Sequence, residues 1–275
     1  MDRKTIVITG AAGVLCSGFA RFLAKKNYAV ALLDRDADRA EKVAAEIGEA
    51  GGVARAYACD VLKKEVLEAV HDKVLADLGP CDILINGAGG NNPRGTTEHE
   101  TYQPGDEEAQ EIKTFFNLDP DGIGFVFDLN FLGTLLPTQV FAKDMIGREG
   151  CCILNISSMN AFRPLTKIPA YSGAKAAVSN LTEWLAVHFA PAGIRVNAIA
   201  PGFFVTGQNK ALLFKEDGTP TPRTHKILAA TPMGRFGEPG ELHGAVEFLL
   251  DPARSGFITG VVLPIDGGFS AYSGV

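Results

Sequence analysis

Residues 5–18, TIVITGAAGVLCSG, run from an apolar β-branched stretch into a turn of small residues and then into a helical pattern. A buried strand, a tight turn and a helix N-terminus in that order can hold a pyrophosphate, because unpaired backbone amides point at it and no bulky side chain stands between. Gly10, Gly13 and Gly18 supply backbone freedom, with Ala11, Ala12 and Ser17 as small neighbours. Gly10, Gly13, Val14 and Leu15 are therefore expected to line a dinucleotide phosphate.

The pattern that begins at this turn continues through the chain. Short apolar runs at 5–9, 29–34, 54–58, 83–86, 152–157, 195–200 and 261–265 alternate with amphipathic stretches such as ADRAEKVAAEIGEA (37–50) and KKEVLEAVHDKVLADLG (63–79). Consecutive apolar positions fit strands buried on both faces, and strands alternating with helices imply right-handed crossovers and a parallel sheet. The expected fold is α/β: a single-domain, Rossmann-like, doubly wound parallel sheet over 1–275. Two segments break the alternation. Residues 91–121 are long, polar and acid-rich, and 203–232 contain TPTPRT and little periodicity. Both follow strand C-termini, the edge where open parallel sheets bind ligands, so the first reads as an inserted loop and the second as a substrate lid.

Composition narrows the setting. A hydrophobic fraction of 46% supports a large core, and a net charge of −6 argues against a nucleic-acid partner. The five cysteines form no CxxC pair and lie in or beside apolar runs, as buried thiols in a reducing compartment do. No secretory leader fits MDRKTIVITG and no run of about 18 apolar residues is evident, so a soluble cytoplasmic protein without a membrane partner is expected. His99 among scattered acids is expected to be solvated, with no metal bound.

Asp34 ends the second strand about 20 residues past the turn, where a carboxylate accepts ribose hydroxyls and repels a 2′-phosphate; this favours NAD. Arg35 beside it leaves NADP possible. Asp60 and Val61 follow the third strand, placed to meet the adenine. YSGAK sets Tyr171 and Lys175 on one helix face, where an ammonium is expected to lower the phenol pKa and make it a general acid–base. Ser158 lies 13 residues before Tyr171 and can hydrogen-bond a carbonyl oxygen; Asn130 lies in DLNFLGT, a polar amide amid Leu129, Phe131 and Leu132.

The order TG (9–10), Asp34, Asp60, NGAGG (86–90), Asn130, Ser158, Tyr171 with Lys175, PGFFVT (201–206) and PIDGG (264–268) resembles the short-chain dehydrogenase/reductase family over essentially the whole chain. The resemblance implies hydride transfer between a nicotinamide and a carbonyl or secondary alcohol, with Asn130, Ser158, Tyr171 and Lys175 as a catalytic tetrad and Asn130 serving a proton-relay water. It implies cofactor contacts at Asn86, Gly87, Ala88, Pro201, Gly202, Phe204 and Thr206, and a homotetramer. The departure is the opening turn: against TGxxxGxG, Val14 and Cys16 stand at the second and third glycines. Gly13 is expected to supply the lost freedom, and Cys16 to be small enough for close helix–strand packing.

The GVLCSG turn, the INGAGGNNP segment with its insertion and the GGFSAYSGV end resemble a sugar-acid branch of the family that includes D-mannonate oxidoreductases (fructuronate reductases). Polar residues at the expected cleft agree. Arg94 or Arg163 would bind a carboxylate, and Asn91, Asn92 and Asn160 would read hydroxyls. Gluconate, keto-gluconate or a polyol are rival substrates. An NADPH-dependent ketoacyl or general carbonyl reductase and a dinucleotide-binding regulator without turnover are rival functions.

Overall fold

The computed structural model describes residues 3–205 and 213–274. Seven strands form one parallel sheet in the order β3-β2-β1-β4-β5-β6-β7: β1 (Thr5–Thr9), β2 (Ala29–Asp34), β3 (Val53–Ala58), β4 (Cys81–Asn86), β5 (Cys152–Ile156), β6 (Arg195–Pro201) and β7 (Val262–Ile265). The chain winds from β1 outward to β3, returns to β4 and then proceeds to β7. The order therefore reverses between β1 and β4, and the C-terminal ends of that pair open the crevice of a doubly wound sheet. Every residue of β1 and β6 is buried, which is why these strands read as continuous apolar runs.

Helices cover both faces. On one side α1 (Val14–Lys25) and α2 (Ala37–Glu49) pack with α8 (His243–Leu250). Phe19, Leu23, Val43, Ile47 and Val246 fill that layer against Ile6, Ile8, Val30 and Leu32. On the other side α3 (Lys64–Leu78), α5 (Gly133–Phe141) and α6 (Pro169–Phe189) bury Leu67, Val74, Phe141 and Leu185 against Val7, Leu33, Leu84 and Ile153. Short helices α4 (Pro120–Phe127), α7 (Pro222–Ala229) and α9 (Pro252–Ser255) complete the layers, each with proline in its first turn where a missing N–H costs nothing.

β4 begins two residues earlier than its apolar pattern suggests. Asp82 interrupts the run but is buried: its carboxylate accepts the Thr5 N–H at 2.8 Å and pairs with Arg148. A charge satisfied in this way sits inside a sheet that a solvated one would end. The other difference is helical. Residues 120–145 form one helical run, long and apolar enough by length and composition to cross a bilayer, and half buried within this fold against α3 and α6. Between α4 and α5 the run passes through a π-helical turn, Asp128–Leu132.

The segment 91–119 is folded on itself. Asn92 caps a 3-10 turn (Pro93–Gly95), Thr114 and Asn117 form a capping box, and His99 Nδ1 pairs with Asp106 at 2.8 Å. Lys226 of α7 reaches Glu100 at 2.7 Å, tying this segment to the lid region.

Candidate active site

The opening turn is built by three strands. Gly13 N–H donates to Gly10 O at 3.0 Å, Ala11 N–H to Leu33 O at 3.2 Å, and Ala12 N–H to the Asp34 carboxylate at 2.9 Å. Gly13 is the extended N-cap of α1 and offers no side-chain cap, so the first-turn amides of Val14, Leu15 and Cys16 face outward from the helix end. Gly10 has φ +62, and a Cβ there would press on the backbone of Gly87 and Ala88. That close approach admits only glycine.

Cys16 answers the question its sequence position raises. Its side chain is buried, and a Cβ on Gly87 would overlap the Cys16 sulfur and lie 2.8 Å from Thr9 O. The sulfur therefore fills the space that a side chain at 87 would take. The close contact is preserved with the glycine on β4's loop rather than on α1. Thr9 completes the join: its hydroxyl accepts the Gly87 and Ala88 N–H groups at 3.1 and 3.2 Å.

Asp34 stands at the end of β2 with one carboxylate oxygen on Ala12 N–H and the other on Asp36 N–H. Each oxygen keeps a further lone pair for a ribose hydroxyl. Arg35 is exposed beside it. Asp60 accepts the Leu62 N–H at 3.1 Å, and Val61 is buried against Gly133. This row of amides, glycines and carboxylates fits an NAD in its chemistry.

Asn86 differs from its reading. Its side chain is buried and turned inward, donating to Thr138 Oγ1 and Asn155 Oδ1, both at 2.9 Å; only the backbone of 86–88 is left for the crevice. Pro201 ends β6, and a Cβ on Gly202 would collide with Asp266, so 201–202 hug the β7 turn. The Phe204 ring is in the core against Gly237. Thr206, with Gln208 and Asn209 of the expected lid, lies outside the described residues.

The four residues read as a tetrad come together at the C-terminal ends of β4 and β5. Ser158 follows β5 and caps a 3-10 turn (Met159–Ala161) by accepting the Asn160 N–H. Tyr171 is in the first turn of α6, with Lys175 one turn on and its Nζ 5.7 Å from the Tyr171 ring centre. Lys175 Nζ donates to Ile156 O at 2.8 Å. Asn130 is fully buried in the π-helical turn; its Nδ2 donates to Gly90 O and Val126 O, and its Oδ1 accepts the Gly90 N–H. A Cβ on Gly89 would lie 2.7 Å from Asn130 Oδ1 and 3.1 Å from Lys175 Nζ, so the bare glycine lets these two groups approach the same spot.

The electrostatics correct one expectation. Burial pushes the Tyr171 phenol above its ordinary value, with the Ser158 hydroxyl partly offsetting this. Burial also lowers Lys175 to about 8, with Cys16 acting in the opposite sense. Desolvation dominates at both groups, so the phenol is a protonated acid at neutral pH rather than a lowered one. Lys175 thus has a folded pKa below its ordinary 10.5, and the folded state binds fewer protons between about 8 and that value. Stability then rises with pH across that window, and the cost of the buried ammonium is fully present below about 8. Lys175→Met is accordingly expected to raise the melting temperature of the cofactor-free protein relative to wild type near pH 7, with the gap closing towards pH 10. A gap independent of pH would refute this burial cost.

The residues read as substrate contacts are dispersed. Asn160 is buried beside Ser158, and its Oδ1 lacks a hydrogen-bond partner among the described residues. Arg163 is exposed, and among the described residues its guanidinium donates only to Phe162 O. Asn91 donates to Thr96, and the Asn92 side chain caps its own turn. Arg94, expected as a carboxylate anchor, is exposed and paired with Asp119 and Asp121; carboxylates of its own segment already hold it. The sequence reading missed Thr9 and Gly89. For Thr9 the signal was available: a hydroxyl at the end of an otherwise apolar strand.

The chain belongs to the short chain dehydrogenase family, whose model matches residues 4–217. It is an oxidoreductase of that family. An uncharacterized oxidoreductase of Haemophilus influenzae is 61% identical over 275 residues, covering 100% of this chain and 96% of the relative. A Haemophilus influenza crystal structure with bound NAD, of a suggested D-mannonate oxidoreductase, has a TM-score of 0.96 and 60% identity over 100% of this chain and 98% of that one. The 7alpha-hydroxysteroid dehydrogenase of Escherichia coli K12 is 32% identical over 98% of this chain and 94% of its own length.

Proposed function

We propose that the protein interconverts a keto sugar acid and its hydroxy acid with NADH and NAD, D-fructuronate and D-mannonate being the pair that fits best. The observation that carries this reading is Asn160, buried beside Ser158 with an amide oxygen that has no hydrogen-bond partner among the described residues. A buried polar atom left open next to a reacting carbonyl suits a hydroxyl-rich substrate and penalises an apolar one. The activity suggested for the Haemophilus influenza structure agrees.

The bound nicotinamide supplies or accepts the hydride. Tyr171, protonated in the free protein, donates its proton to the substrate oxygen as the carbonyl is reduced, and takes one back in the reverse direction. Ser158 holds the same oxygen by its hydroxyl. Lys175 stabilises the phenolate that Tyr171 becomes and holds a ribose hydroxyl. Asn130 fixes the Gly89–Gly90 backbone and, with Lys175, bounds the space for a relay water. Arg163 and Asn91 stay near the substrate in this reading, and Arg94 does not. The described residues 213–232 reach the 91–121 segment through Lys226 and Glu100, which supports a lid role for this region.

The protein works as a cytoplasmic homotetramer in this reading. Phe125 and Phe127 on α4 and Trp184 and Val187 on α6 expose apolar surface that subunits would cover.

The test follows oxidation of NADH and of NADPH with D-fructuronate, tagaturonate and 5-keto-gluconate. Turnover of fructuronate with NADH supports the reading; turnover of another acid alone moves the substrate. With Asp34→Ala, KM for NADH is expected to rise by about tenfold, and the preference for NADH over NADPH to shrink, because both a ribose acceptor and the Ala12 anchor are lost. An unchanged KM for NADH would remove Asp34 from the cofactor site.

A further inference from the structure

Three segments that the sequence leaves far apart meet beside the start of α6. Lys167, four residues before Tyr171, has φ +74, one of two non-glycine residues among those described with positive φ. Its carbonyl accepts the Thr97 N–H of the inserted segment at 2.9 Å, which fixes the loop in that conformation. Three residues past Thr97 is Glu100, paired with Lys226 of α7 at 2.7 Å. Arg223 lies three residues before Lys226, one turn away on the same helix. The Glu100 carboxyl is held below its usual range by the hydrogen bond from Lys226, and also by the charges of Arg223 and Lys167.

The balance of charge is uneven. One carboxylate, Glu100, faces three cations in a protein whose net charge is −6. Lys226 has its partner. Lys167 and Arg223 are only partly exposed, and neither forms an ion pair among the described residues. The stretch TGQNKAL, 206–212, contains no acid that could serve either of them. Partly desolvated cations without a counterion favour an incoming anion.

From this convergence we propose that Lys167 and Arg223 form the subsite that binds the substrate's carboxylate, with the Glu100–Lys226 pair joining insertion and lid region behind it. The proposal rests on the sugar-acid reading and sharpens it. Four residues of chain separate Lys167 from Tyr171, a span of at most about 14 Å and shorter here because α6 begins between them. A six-carbon acid whose carboxylate is several bonds from its keto group covers part of such a distance, and the Lys167 side chain has to supply the rest. The subsite replaces Arg94, which its own segment has neutralised. It also gives the insertion a role: Glu100 and Thr97 place the two cations.

The experiment uses full-length enzyme with NADH, and compares wild type with Lys167→Met, Arg223→Met, the double variant and, as a control, Lys143→Met at an exposed cation outside the site. KM is measured with D-fructuronate. Affinity for malonate, a small dicarboxylate probe, is measured on the enzyme–NADH complex by the change in NADH fluorescence. The expected result is a rise of about tenfold in KM for each single variant at the subsite and about a hundredfold for the double, with NADH affinity and the Lys143→Met enzyme unchanged. Malonate affinity should fall in parallel. Fructuronate turnover with KM unaffected in the double variant overturns the subsite and leaves the sugar-acid reading standing. Malonate binding that the double variant loses, without turnover of any sugar acid, keeps the subsite and overturns the substrate. Neither turnover nor malonate binding in wild type overturns both.

Discussion

Tyr171→Phe is expected to lower kcat for carbonyl reduction by about 10²–10⁴-fold, the usual scale of general acid catalysis, with NADH affinity within about twofold of wild type. The change removes one oxygen. The ring stays in the first turn of α6, and Lys175 Nζ keeps its bond to Ile156 O. What is lost is the phenolic proton that burial holds on Tyr171 at neutral pH. Ser158 can still hydrogen-bond the substrate oxygen, so some turnover should persist. Rapid-mixing measurement of NADH oxidation separates the chemical step from binding. If the variant retained more than about a tenth of wild-type kcat, Tyr171 would not be the proton donor.

Gly87→Ala is expected to produce the second large effect, a loss of about 5–150-fold in NADH affinity, the equivalent of about 1–3 kcal/mol of overpacking expressed at the turn. The new methyl would overlap the Cys16 sulfur and sit 2.8 Å from Thr9 O. One is a side chain on the first turn of α1 and the other is backbone of β1. The turn that holds the pyrophosphate is strung between them. Adding Cys16→Gly should recover the part due to sulfur and not the part due to the carbonyl. Titration of NADH fluorescence across the four proteins of this double-mutant cycle gives the coupling directly. If the two substitutions were simply additive, the sulfur would not be what makes a glycine necessary at 87.

Strand after strand was legible because a parallel sheet covered on both faces demands unbroken apolar runs, as β1 and β6 supply. Asp82 was hidden because its acceptability depends on Arg148, which is distant in sequence. The convergence of Ser158, Tyr171 and Lys175 was legible because Tyr171 and Lys175 share a helix face and Ser158 ends a strand. The electrostatics were not, since spacing says that Lys175 is near Tyr171 but not that both are desolvated. Arg94 was misread for a related reason: its partners Asp119 and Asp121 are 25 and 27 residues away, and only the fold of the insertion brings them to it. Lys167 and Arg223 were overlooked as a pair because no local pattern joins a loop before α6 to α7.

The π-helical turn at Asp128–Leu132 sets more than the place of one amide. A π turn is an α-helix carrying one residue too many. Removing a residue would restore regular winding and rotate everything on one side of the cut by about 100° relative to the other. Asn130 could then no longer face Gly90 while Thr134 and Thr138 continued the hydrogen-bond ladder towards Asn86. The extra residue is a phase shift between two faces of one rod, letting α4 meet α6 while α5 meets α3. Length in this stretch is therefore constrained more tightly than composition: the helix should accept an exchange of side chains at exposed positions such as Asp128 more readily than the loss or gain of a single residue.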